Sequence, residues 1–183
     1  DAFSRNSKDI ASGTGVKPLL PPKVGDGPVV DGKLDSPAWA RAQPNARIVA
    51  AGTEKGKPAK YPTTVQGLWT PDGVYFGFRM TEPTPDRLET RHGGHDNGEV
   101  WWDDNVELFL DVTGKSAGEF YQIIVSAAQA TFDNHNKDLT WEAKGMKTGV
   151  FVGPDFWSLE VLLPFSTFPD AVLPAPGAAS TSF

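Results

Sequence analysis

The 183-residue chain contains no cysteine. This absence excludes disulfide bridges, thiolate zinc sites, c-type haem attachment and cysteine nucleophiles. Positive charge is also scarce, since 17 lysines and arginines face 23 acids and the formal net charge is -6. A surface that binds nucleic-acid phosphates needs clustered Lys and Arg, so we predict that nucleic acid is not a partner. No apolar run is long enough to span a membrane.

Glycine and proline are abundant, with 19 and 16 copies, and they favour short strands and turns over long helices. The length suits one domain with an arm or tail. We predict an N-terminal arm or linker over 1–22, a β-sandwich domain over 23–175 and a C-terminal tail over 176–183. Because the chain begins at Asp1, we expect a processed, exported bacterial protein that is extracellular or periplasmic.

Apolar and polar residues alternate with a period of two through most of the domain, which is the pattern of half-buried strands. The turn residues Pro71-Asp72-Gly73 separate two such runs and predict a hairpin. We therefore predict an all-β fold, an antiparallel β-sandwich of jelly-roll type. The predicted core faces are Val74, Phe76, Phe78 and Met80; Val106, Leu108, Leu110 and Val112; Tyr121, Ile123 and Val125; and Trp157, Leu159, Val161 and Leu163.

Two other segments carry local signals. Asp35 or Ser36 can cap a short helical turn in which Pro37 occupies the first position and Trp39 is the apolar anchor. Residues 81–99 form a long polar loop, and long loops inside a compact domain are often functional. This loop leads directly into the stretch "EVWWDDNVELFLDV", which places two tryptophans beside two aspartates.

Several motifs resemble those of family-nine carbohydrate-binding modules and their relatives, the DOMON-like sandwiches. The family's opening signature is similar to "VVDGKLDSPAWARA", and its first hairpin to "TVQGLWTPDGVYFGFRMTEP". Its central tryptophan–acid–strand motif is similar to "WWDDNVELFLD", its next strand and turn to "FYQIIVSAAQATFD", and its late strand to "FWSLEVLLPF". The resemblance covers roughly residues 24–168. It implies a non-catalytic β-sandwich that binds a polysaccharide or oligosaccharide.

The resemblance also implies roles for individual residues. In sugar-binding members, a tryptophan before the acid-rich strand stacks on the sugar, and a glutamate six residues later binds its hydroxyls. Trp101 and Glu107 have this spacing. The family's closing stretch with Trp, Asn and Arg is not found before Phe183, and an arginine of the following strand is replaced by Ile123, with Gln122 beside it. These departures weaken the expectation of a two-sided sugar slot.

Sugar chemistry explains why aromatic surface would lie next to charge. A sugar ring has an apolar face that an indole plane can cover, and a rim of hydroxyls that carboxylates and amides can bind. We predict Trp101 as the stacking platform and Trp102 as the alternative, because neighbouring strand residues point to opposite faces and only one should be exposed. Glu107 and Gln122 are predicted hydroxyl partners on one sheet face, and Arg79 of the neighbouring hairpin is a further candidate.

A calcium ion is the cofactor that the resemblance suggests, since relatives commonly carry structural calcium. Calcium takes six to eight oxygen ligands, often from clustered carboxylates. The sequence has no EF-hand spacing, and the alternative is that these acids cap turns or are solvated. The candidate ligands are Asp103, Asp104, Asp96 and Asp111, with Asn97 and Asp86 as further partners.

Other functions are possible on the sequence alone. His92, His95 and His135 could form a three-histidine transition-metal site. No Gly-x-Ser-x-Gly elbow, phosphate loop or HExxH motif occurs, so we predict no enzymatic activity.

Two alternatives to carbohydrate binding remain. The first is a structural subunit of an extracellular filament or surface layer, which would self-assemble by inserting the N-terminal arm at an open sheet edge. The second is a haem-b-binding DOMON-like domain with Met80 or Met146 as an axial ligand.

Overall fold

The computed structural model describes residues 19–45, 48–49, 55–113 and 118–171. In this part of the chain, helical structure is limited to single 3-10 turns at Pro37–Arg41, Pro85–Arg87, Val100–Trp102 and Phe165–Thr167. None of these helices is long and apolar enough to cross a membrane. The strands are β1 (Thr63–Trp69), β2 (Gly73–Thr81), β3 (Asn105–Leu110), β4 (Tyr121–Ser126), β5 (Thr131–His135), β6 (Lys147–Val152) and β7 (Phe156–Pro164).

The strands form two antiparallel sheets, with the orders β1-β2-β7-β6 and β3-β4-β5. The inner faces of both sheets contribute to a single hydrophobic core, because alternate residues of each strand point towards the facing sheet. The predicted all-β sandwich is therefore confirmed. The buried core includes Val74, Phe78, Met80, Tyr121, Ile123, Val125, Trp157, Leu159, Val161 and Leu163.

The predicted hairpin joins β1 to β2, with Thr63 opposite Met80 and Trp69 opposite Val74. At its turn, the Thr70 N–H donates to the carbonyl of Gly73 at 2.9 Å. A Cβ at position 73 would lie 2.6 Å from the Leu163 carbonyl oxygen, so glycine is required there by the close approach of β7.

A segment over residues 24–45, here called the signature segment, packs on the outer face of the four-stranded sheet. Its 3-10 turn begins at Pro37 as predicted, and its Trp39 packs with Val24 and Leu68, but Ser36 at the N-cap position makes no side-chain capping bond. Glu160 of β7 is buried beneath this segment rather than exposed, although it alternates with core residues in the sequence. The outer side of this sheet is thus partly covered by the chain itself, while Arg79 and Phe151 stay exposed on it.

The predictions for the chain ends fall mostly outside the described residues. Residues 1–18 of the predicted arm and the whole predicted tail belong to those ranges, so the filament alternative stays a prediction. Residues just after them already join the sandwich, since the Trp69 N–H donates to the carbonyl of Pro22 at 3.1 Å. Of the two methionines proposed as haem ligands, Met80 is buried in the core and Met146 packs against it.

Candidate functional site

The two tryptophans lie in a 3-10 turn, Val100–Trp102, that comes just before β3. The Trp102 N–H donates to the carbonyl of Glu99 at 3.0 Å, and the Asp103 N–H donates to that of Val100 at 3.1 Å. Val100 is fully buried against Ile124 of β4. The turn is therefore anchored by its first residue on the outer face of the three-stranded sheet.

Both indoles project into solvent. Trp101 is 53% exposed and Trp102 is 65% exposed, and their rings stack with centroids 3.9 Å apart at an angle of 29°. The expectation that only one of them would be exposed is wrong. It assumed strand alternation, which does not apply because the backbone is helical over Val100–Trp102 and β3 begins only at Asn105.

Asn105, the first residue of β3, holds the turn in place. Its side-chain amide Nδ2 donates to the carbonyl of Asp103 at 2.7 Å, and it lies 3.2 Å from that of Trp101 and 3.4 Å from that of Val100. Asn105 and Glu107 share the face of β3 opposite its core residues. The tryptophan turn is thereby tied to the face that carries Glu107.

Asp103 links the turn to the preceding polar loop. Its carboxylate accepts hydrogen bonds from the backbone N–H of His92 at 2.9 Å and from His92 Nδ1 at 2.8 Å. Burial acts to raise the pKa of Asp103, but hydrogen bonds from His92 and from the Arg91 backbone together outweigh it, and the pKa lies below its ordinary value. Asp103 is therefore a structural carboxylate in its charged form at neutral pH.

A polar ladder crosses the outer face of the three-stranded sheet beside this turn. The amide of Gln122 donates to the carboxylate of Glu107, and the amide of Asn134 donates to the side-chain oxygen of Gln122. The three residues come from β3, β4 and β5, with Gln122 directly opposite Asn134. The predicted pairing of Glu107 with Gln122 on one face is thus what the structure has, and Asn134 extends it by one strand.

Arg79 lies elsewhere. It belongs to β2 of the four-stranded sheet, on the side away from the core, and its guanidinium sits 3.2 Å from the ring centroid of Phe156. The outer faces of two packed sheets point in opposite directions, so the structure does not bring Arg79 to Glu107 and Gln122. The β1–β2 hairpin precedes β3 in the sequence, but it belongs to the other sheet and does not border the polar ladder.

Three of the four aspartates predicted as calcium ligands make local hydrogen bonds, and the fourth, Asp96, lies 3.7 Å from His95 Nε2. Asp103 binds His92, the Asp104 carboxylate accepts the Glu89 N–H at 2.8 Å, and that of Asp111 accepts the Thr113 N–H at 3.0 Å. Among the described residues, these four form no group of three or more whose ligand atoms converge. Their present arrangement does not fit a calcium cage, and calcium binding stays a prediction.

The three histidines also have different surroundings. The ring of His92 binds Asp103, and that of His135 stacks on Tyr121 with centroids 4.0 Å apart. His95 instead binds Thr131 and Glu142. The structure therefore does not assemble a three-histidine site.

A cavity of about 200 Å³ opens at the other end of β3. Since β3 runs five steps from Asn105 to Leu110, this cavity lies roughly 17 Å from the tryptophan turn. It is separate from the polar ladder and holds one of the predicted calcium ligands. Its lining residues are Leu110, Asp111, Val112, Thr113, Glu119, Tyr121, His135 and Asp170.

Sequence reasoning missed two residues of the site, Asn105 and Asn134. The alternation misleads at Asn134, because in "TFDNH" the apolar Phe132 lies on the same outer face as Asn134 while the charged Asp133 points inwards. Asn105 carried no signal either, because three-carbonyl binding by one amide depends on the fold of the preceding turn. The molecule is thus a β-sandwich whose three-stranded sheet carries exposed indoles and a ladder of carboxylate and amide groups on its outer side.

The comparisons with known proteins place the chain in a family. The family model described as "Carbohydrate family 9 binding domain-like" matches residues 30–178, and the chain belongs to this family. None of the curated proteins matches it. The opening signature, the hairpin and the tryptophan–acid motif all lie inside the matched range or overlap it.

Solved structures share the fold at low sequence identity. A family 9 carbohydrate-binding module from Caldicellulosiruptor kristjanssonii, in complex with cellotriose, is 18% identical with a TM-score of 0.58, over 81% of this chain and 67% of that one. A family 9 carbohydrate-binding module from the same organism, in complex with glucose, is 18% identical with a TM-score of 0.57, over 78% of this chain and 67% of that one. A protein from Bacteroides uniformis ATCC 8492, named provisionally as carbohydrate-binding, is 18% identical with a TM-score of 0.64, over 85% and 76%.

Proposed function

We propose that this chain is a non-catalytic carbohydrate-binding module whose sugar stacks on Trp101, with Trp102 behind it. The observation that carries this proposal is the exposure of two stacked indoles beside a ladder of hydrogen-bonding groups. Two large aromatic side chains in water bury little apolar surface on folding, so their exposure suits a partner with an apolar face.

The polar ladder suits the hydroxyl rim of the same sugar. Glu107 is exposed and offers a charged acceptor, and Gln122 offers both a donor and an acceptor. Because Glu107, Gln122 and Asn134 already bind one another, their side chains are oriented before the sugar arrives. Prior ordering lowers the entropy lost on binding.

Isothermal titration calorimetry with cellotriose, glucose and a panel of other oligosaccharides tests the proposal. Trp101→Ala should weaken binding at least about tenfold, which corresponds to about 1.4 kcal/mol. Phe151→Ala is the matched control, because Phe151 is an exposed aromatic residue of β6 on the other sheet. If Trp101→Ala and Trp102→Ala both bound as strongly as the native chain, the proposed platform would be contradicted. If the native chain bound no glycan, the proposed function would be contradicted.

The proposed partner is a polysaccharide or oligosaccharide outside the cytoplasm, and the proposed compartment is extracellular or periplasmic. Membership of a carbohydrate-binding family supports both proposals. Fractionation of the source cells followed by immunodetection tests the compartment. Incubation of the chain with a bound oligosaccharide should release no new reducing ends, and their release would contradict a non-catalytic role.

We further propose that calcium stabilises the fold, as the resemblance to calcium-carrying relatives suggested. Asp104 and Asp111 lie at opposite ends of β3 and would serve separate ions, each after giving up its present hydrogen bond. Thermal unfolding in calcium and in EGTA is the test. An unchanged Tm would remove calcium from the proposal without affecting the sugar site.

A further inference from the structure

The polar loop and β5 bring together a second group of chemically active side chains. His95, Asp133 and Glu142 each offer a ligand atom, and these atoms all lie within 4.8 Å of one another. Within the described residues, no other set of three or more His, Asp or Glu side chains converges in this way. The three come from separate places, namely the loop before the tryptophan turn, the middle of β5 and the loop after β5.

Asp133 is an acidic residue on the core-facing side of β5, which is unusual. It is 1% exposed and points to the inner side of the sheet, opposite Ile123. One carboxylate oxygen, Oδ2, accepts the Ala143 N–H at 3.3 Å, but Oδ1 accepts no hydrogen bond from any residue that the structure describes. A buried carboxylate oxygen without a partner is costly, and native structures rarely tolerate one without a bound ion or water.

His95 is oriented as a metal ligand would be. Its Nδ1 lies 2.8 Å from Thr131 Oγ1, while its Nε2 lies 2.8 Å from the carboxylate of Glu142. When the hydroxyl accepts a hydrogen bond from Nδ1–H, the lone pair of Nε2 faces the acids. Histidines that bind metals are generally held in this way through their other nitrogen. The backbone supports the arrangement, because the Thr131 N–H donates to the Gly94 carbonyl at 3.0 Å.

We propose that His95, Asp133 and Glu142 form a binding site for a divalent metal of the zinc class. One imidazole nitrogen and two carboxylates make a three-ligand set that zinc accepts, with a fourth position left for water. Ligands about 2.1 Å from a tetrahedral ion lie about 3.4 Å from each other. The His95–Glu142 contact therefore has to open by about 0.6 Å, a side-chain adjustment.

The donor set distinguishes this site from a calcium site. Calcium prefers six to eight oxygen ligands, and an imidazole nitrogen is a poor substitute. Asp96 Oδ1 lies 3.7 Å from His95 Nε2, so one further acid borders the site without making it a cage of oxygens. The four aspartates predicted as calcium ligands contribute none of the three ligands.

A metal at this site would fasten the polar loop to β5. His95 lies five positions before Val100, which anchors the tryptophan turn. Asp103 already binds His92, three positions before His95, so the metal would add a second attachment to the same end of the loop. The metal site stands independently of the proposed sugar binding, because its ligands are not part of the polar ladder.

Calorimetric titration of the metal-free, EDTA-dialysed chain with ZnCl2 at pH 7.5 tests the proposal, together with Co²⁺ substitution followed by visible absorption. One zinc should bind per chain, and a 100-fold excess of CaCl2 should not displace it. His95→Ala and Glu142→Gln should abolish the binding or weaken it by more than about tenfold, and Thr131→Val should weaken it about 10- to 100-fold. His135→Gln is the matched control and should bind as the native chain does.

Asp133→Asn separates a metal ligand from a structural residue. An amide removes the unpaired buried charge, so the metal-free variant should be as stable as the native chain or more so, yet zinc should no longer raise its Tm. Failure of the native chain to bind zinc would overturn the proposal. So would zinc binding that persists in His95→Ala, since the metal would then lie elsewhere.

Discussion

Glu160→Gln should destabilise the sandwich more than any substitution on its surface. The carboxylate lies on the central strand β7 and receives three N–H donors from the signature segment. Its Oε2 accepts the backbone N–H groups of Asp31 at 2.8 Å and Gly32 at 2.7 Å, and its Oε1 accepts Trp39 Nε1–H at 2.6 Å. A glutamine has a single acceptor oxygen, so at least one donor would face its NH2 group.

The magnitude follows from the hydrogen bonds that are lost. A bond to a charged acceptor contributes about 1.5–3 kcal/mol, and a buried donor left unpaired costs about 1–3 kcal/mol. Since the amide still serves either the backbone pair or the indole, we expect a loss of about 2–4 kcal/mol of unfolding free energy. The remaining bonds should keep the chain folded at room temperature.

Urea denaturation followed by circular dichroism measures this loss as a shift of the midpoint at constant slope. Trp39→Phe removes one of the three donors, leaves Oε1 of the buried carboxylate without this bond and opens a small cavity, so it should also cost about 2–4 kcal/mol. In the double variant the amide no longer faces an indole N–H, so the combined cost should fall below the sum of the two. A cost below about 0.5 kcal/mol for Glu160→Gln would refute the reasoning, because that is the range of ordinary surface changes.

Three further predictions concern Asp103, the tryptophan turn and the signature segment. Hydrogen bonds from His92 hold the pKa of Asp103 below its usual value. Asp103 therefore stabilises the fold above an ordinary pKa of about 4, and this stabilisation is lost as the pH falls through the lowered pKa. Asp103→Asn should reduce the drop in the urea midpoint between pH 7 and pH 3, and a drop identical to that of the native chain would contradict this. Asn105→Ala should release the tryptophan turn and weaken sugar binding about tenfold in calorimetry, with a loss of only about 1–2 kcal/mol of unfolding free energy. An unchanged affinity would show that the turn keeps its conformation without the Asn105 side chain. Gly149→Ala places a Cβ 2.7 Å from the backbone of the signature segment and should lower the unfolding free energy by about 1–3 kcal/mol in urea denaturation. The control is Gly25→Ala, whose new Cβ would have no atom within 4 Å and should leave the unfolding free energy nearly unchanged.

The strands could be predicted because their inner faces are buried and their alternation is regular. Val106, Leu108 and the core residues of β7 point inwards as expected, and Pro37 begins its 3-10 turn where the capping pattern placed it. The hairpin was equally readable, since Pro71-Asp72-Gly73 encodes its turn locally. Each of these features depends on residues within a few positions of one another.

Other features depend on contacts between distant segments, which a single sequence does not display. Glu160 has the alternation of an exposed residue, but it is buried because a second layer of chain crosses its sheet. Arg79 has the alternation of an outward residue, yet its strand belongs to the sheet that faces away from the polar ladder. The exposure of both Trp101 and Trp102 depends on a 3-10 turn that only the packing of Val100 reveals.

Under the proposed function, the packing of the signature segment on one sheet leaves the described part of the molecule with one proposed sugar-binding face, on the other sheet. A single copy presents the tryptophan turn and the polar ladder in one direction only. Such a module would hold a polymer at one place without cross-linking it to another. Tight retention on an extended polysaccharide would then require a second module on the same chain or in the same assembly, because avidity comes from linked sites.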